Sequence, residues 1–234
     1  MDLIKEALNL GLEVSENANN LLVKYSNMLI KYNEFMNLTA ITEPEEIKEK
    51  HFLDSITLLL SGKLEKEKTV IDIGAGAGFP SLPVKIVRDD LKITMLDSLN
   101  KRIGFLNNVI RELELKDIEA VHFRAEDAGK DANYREKYDI ATARAVADMA
   151  VLSEYALPFV KVGGYFIALK GNSPKEEIEN AKKAIREMGG EIEEIKEILL
   201  PSGIKHSLVI VRKVIPTPSK YPRKAGTPVK KPIV

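Results

Sequence analysis

Thr69-Val70-Ile71-Asp72-Ile73-Gly74-Ala75-Gly76-Ala77-Gly78-Phe79-Pro80 decides the fold of this chain. The apolar run 69–73 reads as a strand, the alternating glycines as a tight turn, and the residues beyond as a helix to about Arg88. Strand, glycine-rich turn and helix in that order mark the place where α/β sheets bind ligands, outside the carboxyl ends of their strands. Glycine lets the backbone turn sharply there and lets a ligand come close.

The alternation continues downstream. Strands are expected over 92–96, 118–123, 138–142 and 165–169, and helices over 100–113, 149–158 and 175–188. Two last strands, 192–199 and 207–214, have no helical pattern between them. The class is therefore α/β, a Rossmann-like, mostly parallel, seven-stranded sheet with an antiparallel strand at one edge. Upstream, residues 1–66 form a helical extension. Leu21, Leu22, Tyr25, Met28, Leu29 and Tyr32 recur at helical spacing, and Ser15 can cap their helix. A second helix should begin near Thr42, since Thr42-Glu43-Pro44-Glu45 has the capping-box form, leaving 33–41 as a loop. After the core, 67–215, the segment 216–234 holds five of the eleven prolines. It reads as a basic tail with neither strand nor helix, laid over the surface or partly disordered.

A chain of 234 residues, 44% apolar and 30% charged, suits one globular domain with an appendage. No apolar run approaches a membrane span, and the start lacks the regions of a signal peptide, so a cytosolic location is the default. There is no cysteine, which excludes disulfides, thiolate metal sites and cysteine nucleophiles. The three histidines (His51, His122, His206) are scattered, and nothing argues for a metal. The net charge is zero, yet residues 205–234 carry eight Lys or Arg and no acid. A basic end on an acidic body points to a polyanion partner or to a solvated tail.

Two readings compete for the glycine-rich turn. A dinucleotide fingerprint, G-x-G-x-x-G/A, would put Phe79 at its third position, where it is too large. The observed order, Asp72-x-Gly74-x-Gly76-x-Gly78, instead resembles motif I of class I S-adenosylmethionine-dependent methyltransferases, whose glycines face the methionine part of the cofactor. Asp97 ends the second strand, where an acid accepts from ribose hydroxyls, unless it merely caps the next helix. After the third strand comes Arg124-Ala125-Glu126-Asp127. Glu126 can accept from an adenine amine while the Ala125 amide serves a ring nitrogen, with Asp127 the weaker choice. Arg144, in Thr142-Ala143-Arg144-Ala145-Val146, and Lys170 stand at the same rim, able to hold a carboxylate or phosphate.

Taken with the ends of the chain, these residues resemble one family, the bacterial small-subunit rRNA guanine-N7 methyltransferases (RsmG, also called glucose-inhibited division protein B). The likeness also covers Asn37-Leu38-Thr39-Ala40-Ile41, His51-Phe52-Leu53-Asp54-Ser55, Lys101-Arg102, Phe105-Leu106, Lys170-Gly171, Tyr221-Pro222-Arg223-Lys224 and Gly226-Thr227-Pro228. It implies methylation at N7 of the guanosine at nucleotide 527 of 16S rRNA, S-adenosylmethionine as donor, and a link to streptomycin sensitivity. By match, Gly74, Phe79, Ala125, Glu126 and Arg144 are its cofactor contacts, joined by Asp72, Gly76 and Gly78 from the motif and by Asp97 at the end of the second strand. Arg124, Lys170, Arg223 and Lys224 are the RNA-binding candidates.

The chemistry agrees through absences. Guanine N7 has a free lone pair and no proton, so direct displacement needs no general base, and no acid–base constellation is dedicated to one. Arg144 and Lys170 are candidates for positioning alone. No Asn/Asp-Pro-Pro-aromatic motif, common in amino-directed methyltransferases, is present. The expected partner is 16S rRNA or the small subunit, approached by a monomer. The rivals are the same fold acting on another RNA or a small molecule, a non-catalytic ribosome-assembly factor, and a nicotinamide oxidoreductase, which Phe79 disfavours.

Overall fold

The computed structural model describes residues 1–172 and 174–234. Its centre is one seven-stranded sheet in the order β3-β2-β1-β4-β5-β7-β6. The strands are β1 (Thr69–Ile73), β2 (Lys92–Asp97), β3 (Ile118–His122), β4 (Tyr138–Arg144), β5 (Val160–Lys170), β6 (Gly190–Leu199) and β7 (Lys205–Lys213). All neighbours are parallel except β7, which runs antiparallel to both β5 and β6. The antiparallel strand expected at the rim thus lies one place in, with β6 outermost. Composition explains the order. Leu208, Val209, Ile210 and Val211 of β7 are buried on both faces. β6 carries Glu191, Glu193, Glu194, Lys196 and Glu197, which blunt an exposed edge.

The order in which successive strands are added reverses between β1 and β4, which run parallel, so the loops after these two strands face one crevice. Side chains alternate across β1. Val70 packs with one apolar cluster and Ile71 and Ile73 with the other, which sets Asp72 on the Val70 face. That face is covered by the amino-terminal helices, by α3 (Ser81–Val87) and by α4 (Asn100–Glu112); the opposite face is covered by α6 (Met149–Ala156) and α7 (Lys175–Glu187). A short α5 (Ala125–Ala128) follows β3.

The extension begins with α1 (Leu3–Asn9) and α2 (Glu16–Met36), the latter capped by Ser15 Oγ accepting from the Ala18 amide at 3.1 Å. Ala18, Leu22, Tyr25 and Leu29 form the buried stripe of α2. The next helix departs from the capping box. It begins at Pro44 with no side-chain cap, and Thr42 takes no part. Asn33 organises the loop instead, its Oδ1 accepting from the Leu38 and Thr39 amides. The helix then widens into a π-helical stretch, Ile47–Leu53, and tightens into a 3-10 turn, Thr57–Ser61. π-Helical segments are frequent at functional sites.

The last residues form a docked strap. Arg135 donates to the carbonyls of Thr217, Pro218 and Tyr221, and Tyr221 is buried. A short helix, α8 (Thr227–Lys230), interrupts what was expected to be helix-free. Pro228 sits in its first turn, where proline has no amide to lose.

Candidate functional site

A cleft of about 330 Å³ opens at the carboxyl ends of β1, β2 and β3. Gly74, Asp97, Arg124, Ala125 and Glu126 line it, as do Val146, Tyr155 and Gly226. Gly74 (φ 71°) is required twice over: its backbone is left-handed, and a Cβ there would lie 2.9 Å from Val146 Cγ2. The buried Asp97 accepts from the Gly76 amide at 2.9 Å and the Leu99 amide at 2.8 Å, while Arg102 stands 3.2 Å away. It therefore holds the glycine loop as well as facing the cleft. Glu126, also buried, accepts from Tyr155 Oη at 3.2 Å and from the Gly226 amide at 2.9 Å. Burial and Glu126 push the Tyr155 phenol up to about 12, so its hydroxyl stays a donor.

Neither Asp72 nor Phe79 lines this cleft. Asp72 is fully buried, with Ser81 beside it. Burial lifts its carboxyl to about 7, a rise that Ser81 and Arg144 only partly offset. Phe79 stacks on His51 (centroids 4.3 Å apart), with the Arg144 guanidinium 4.7 Å from its ring centre. Gly78 (φ 101°) makes room for Leu82 and for Tyr25, whose hydroxyl donates to the Ala77 carbonyl.

Arg144 turns away from the first cleft. It lines a second hollow of about 260 Å³ with Asp54, Lys170, Lys205 and His206. Its guanidinium donates to Asp54 Oδ2 at 2.7 Å and to the Lys50 carbonyl at 3.1 Å, and stands 3.2 Å from His51 Nδ1. Asp54 Oδ1 is 2.5 Å from His206 Nδ1. Burial raises the Asp54 carboxyl, but His206 and Arg144 more than reverse this and hold it below the ordinary range. Burial and the Arg144 charge depress His51 to about 4, leaving a neutral ring whose Nε2 meets Thr39 Oγ1 at 2.7 Å. The next residue, Ala145, is left-handed (φ 56°), an outlier of the kind that concentrates at functional sites.

The RNA-binding candidates divide. Arg124 and Lys224 are exposed. Lys170 is paired with Glu177 at 2.6 Å and donates to the Ala147 carbonyl. Arg223 forms a two-point pair with the buried Glu154, which removes its charge from the free basic set. Sequence reading overlooked His51, Asp54 and His206 as one group. The first two stood in a quoted stretch, Thr39 in another, but nothing local announced His206.

A cleft within the volume range of small-molecule sites, an acid that ends β2, another in the helix after β3, and a Cβ-free Gly74 fit the nucleoside part of a cofactor. This fold and site define a class I S-adenosylmethionine-dependent methyltransferase. Solved structures share the architecture: a SAM-dependent methyltransferase from Aquifex aeolicus (TM-score 0.55, 20% identity, 74% of this chain and 94% of that one) and the precorrin-6y C5,15-methyltransferase of Geobacter metallireducens (TM-score 0.51, 14%, 68% and 87%). The family model for rRNA small subunit methyltransferase G matches residues 18–206. Proteins named ribosomal RNA small subunit methyltransferase G are similar throughout, that of Alkaliphilus metalliredigens being 55% identical across 96% of this chain and 94% of its own. That of Acetivibrio thermocellus is 53% identical across 99% and 95%. The chain belongs to the rRNA small subunit methyltransferase G family.

Proposed function

We propose that the chain methylates N7 of a single guanosine of 16S rRNA, nucleotide 527, with S-adenosylmethionine as donor. One observation carries the reading: two unlike cavities flank the loop 144–146. The first presents Asp97 and Glu126, suited to hydroxyl and amine donors. The second gathers Arg144, Lys170 and Lys205, suited to a nucleotide. When bound, S-adenosylmethionine supplies an electrophilic sulfonium methyl.

Guanine N7 brings its own lone pair, so no protein group has to remove a proton. The second hollow agrees with that requirement. Among the described residues its one carboxylate, Asp54, is committed to Arg144 and His206, and Lys170 to Glu177. What these groups can do is hold the base in line and keep water out. An arginine donor also suits the O6 acceptor on the same edge of guanine. On this reading Arg124 and Lys224, both exposed, meet the phosphates of the RNA. On this reading the enzyme works in the cytosol as a monomer on the small subunit or its rRNA, and its loss alters streptomycin sensitivity.

The test is methyl transfer from labelled S-adenosylmethionine to small subunits lacking the modification, followed by borohydride and aniline cleavage, which cuts at 7-methylguanosine. One cut at nucleotide 527 is expected. Label incorporated without that cut refutes the N7 assignment, and no label refutes the substrate.

A further inference from the structure

The strap is built into the cofactor cleft rather than laid beside it. Gly226 lines the cleft, and its amide donates to Glu126 Oε1 at 2.9 Å. Three contacts fix where Gly226 sits. Arg223 meets Glu154 twice, through Nε and Nη2, and its backbone amide donates to the same carboxylate at 2.7 Å. Glu154 is only 1% exposed, so this pair is a buried lock and not a surface ion pair. Tyr221 is buried two residues earlier, its hydroxyl on Glu187. The close approach depends on Gly129, where a Cβ would stand 3.0 Å from Pro222 Cγ. Glu154 is followed in α6 by Tyr155, whose hydroxyl also donates to Glu126. Both donors thus reach Glu126 Oε1, and among the described residues no hydrogen bond is made to Oε2.

We infer that the Arg223–Glu154 pair and the Gly226 amide are positioning groups of the cofactor site. They pin one oxygen of Glu126 and turn the other toward the exocyclic amine of adenine. Specificity for an adenine over a hypoxanthine nucleoside is therefore set by a segment some 100 residues beyond the carboxylate that reads it. The inference rests on the cofactor reading of the cleft.

Binding of S-adenosylhomocysteine and S-inosylhomocysteine to the full-length protein, measured by calorimetry without RNA, tests it. The wild type should prefer the adenine compound at least tenfold. Arg223→Met should bring the ratio close to one, while a merely structural loss would weaken both compounds equally. Because Arg223→Met leaves a buried carboxylate unpaired, the double variant Glu154→Met/Arg223→Met is run beside it; it removes both charges, keeps the volume, and should lose the same discrimination with its thermal unfolding intact. A wild type that binds neither compound overturns the cofactor reading itself. A wild type that binds both alike, or a folded variant that discriminates as the wild type does, overturns the role given to the strap.

Discussion

Replacing Asp72 by Asn should stabilise the protein by about 3 kcal/mol more at pH 8 than at pH 5. The magnitude follows from the buried carboxyl. In the folded chain it holds its proton to about pH 7, and in the unfolded chain it releases it near 3.8. Between those values the folded state binds more protons, so stability falls as pH rises. Above pH 7 the full difference is reached, about 4 kcal/mol at 1.36 kcal/mol per unit; at pH 5 less than half of it has developed. No solvent screens the group, since Asp72 is 0% exposed. Asparagine keeps the shape and removes the ionisation. Urea unfolding of both proteins at pH 5, 6.5 and 8 measures the effect as a difference, so every other titrating group cancels. The stability of the wild type should fall away from that of the variant as pH rises. Parallel pH profiles for the two proteins would refute the argument, because they would mean that the carboxylate is solvated or fully paired in the folded state.

Other perturbations test other parts. His51→Gln should abolish an acid lability of about 3 kcal/mol between pH 6.5 and 4: the folded ring titrates at about 4, so the unfolded chain takes up the proton first and stability falls with pH, as urea midpoints against the wild type would show. Gly78→Ala forces a Cβ to 2.3 Å from Leu82 Cδ1 at a left-handed φ, and should cost about 2–4 kcal/mol, read as a lowered Tm in a calorimetric scan. Asp54→Asn withdraws the carboxylate from Arg144 and His206 and should lower kcat/KM for subunit methylation at least tenfold while cofactor affinity holds; an unchanged rate contradicts the role given to the second hollow. Lys224→Ala should flatten the plot of log affinity for rRNA against log salt by about one unit, measured by filter binding.

Much of the sheet was legible because its signals are local. The short apolar runs, the glycine turn after Ile73 and the helical stripe of α2 are each signalled by residues close together in the chain. Where reading fell short, the cause was a distant partner. Thr42 has the form of a cap, but Asn33 and Thr39 already order that loop, so the helix starts without it. Pro-rich composition argued against helix in 216–234, yet Pro228 in a first turn is compatible with one. Arg223 looked like a phosphate ligand, because charge shows in sequence and a buried counter-charge 69 residues earlier does not.

The sequence by itself determined the alternation of strand and helix, the glycine-bearing turn at the mouth of β1 and the acids that end or follow β2 and β3. All of these rest on backbone geometry and on side-chain periodicity over short spans. Only the tertiary structure decided that Arg144 is aimed by Asp54 and His51 from the amino-terminal extension, that His206 completes their network, and that Gly226 closes on Glu126. Those contacts join residues some 90 to 150 positions apart, and they exist only once burial of the two apolar clusters has folded both ends of the chain against the sheet.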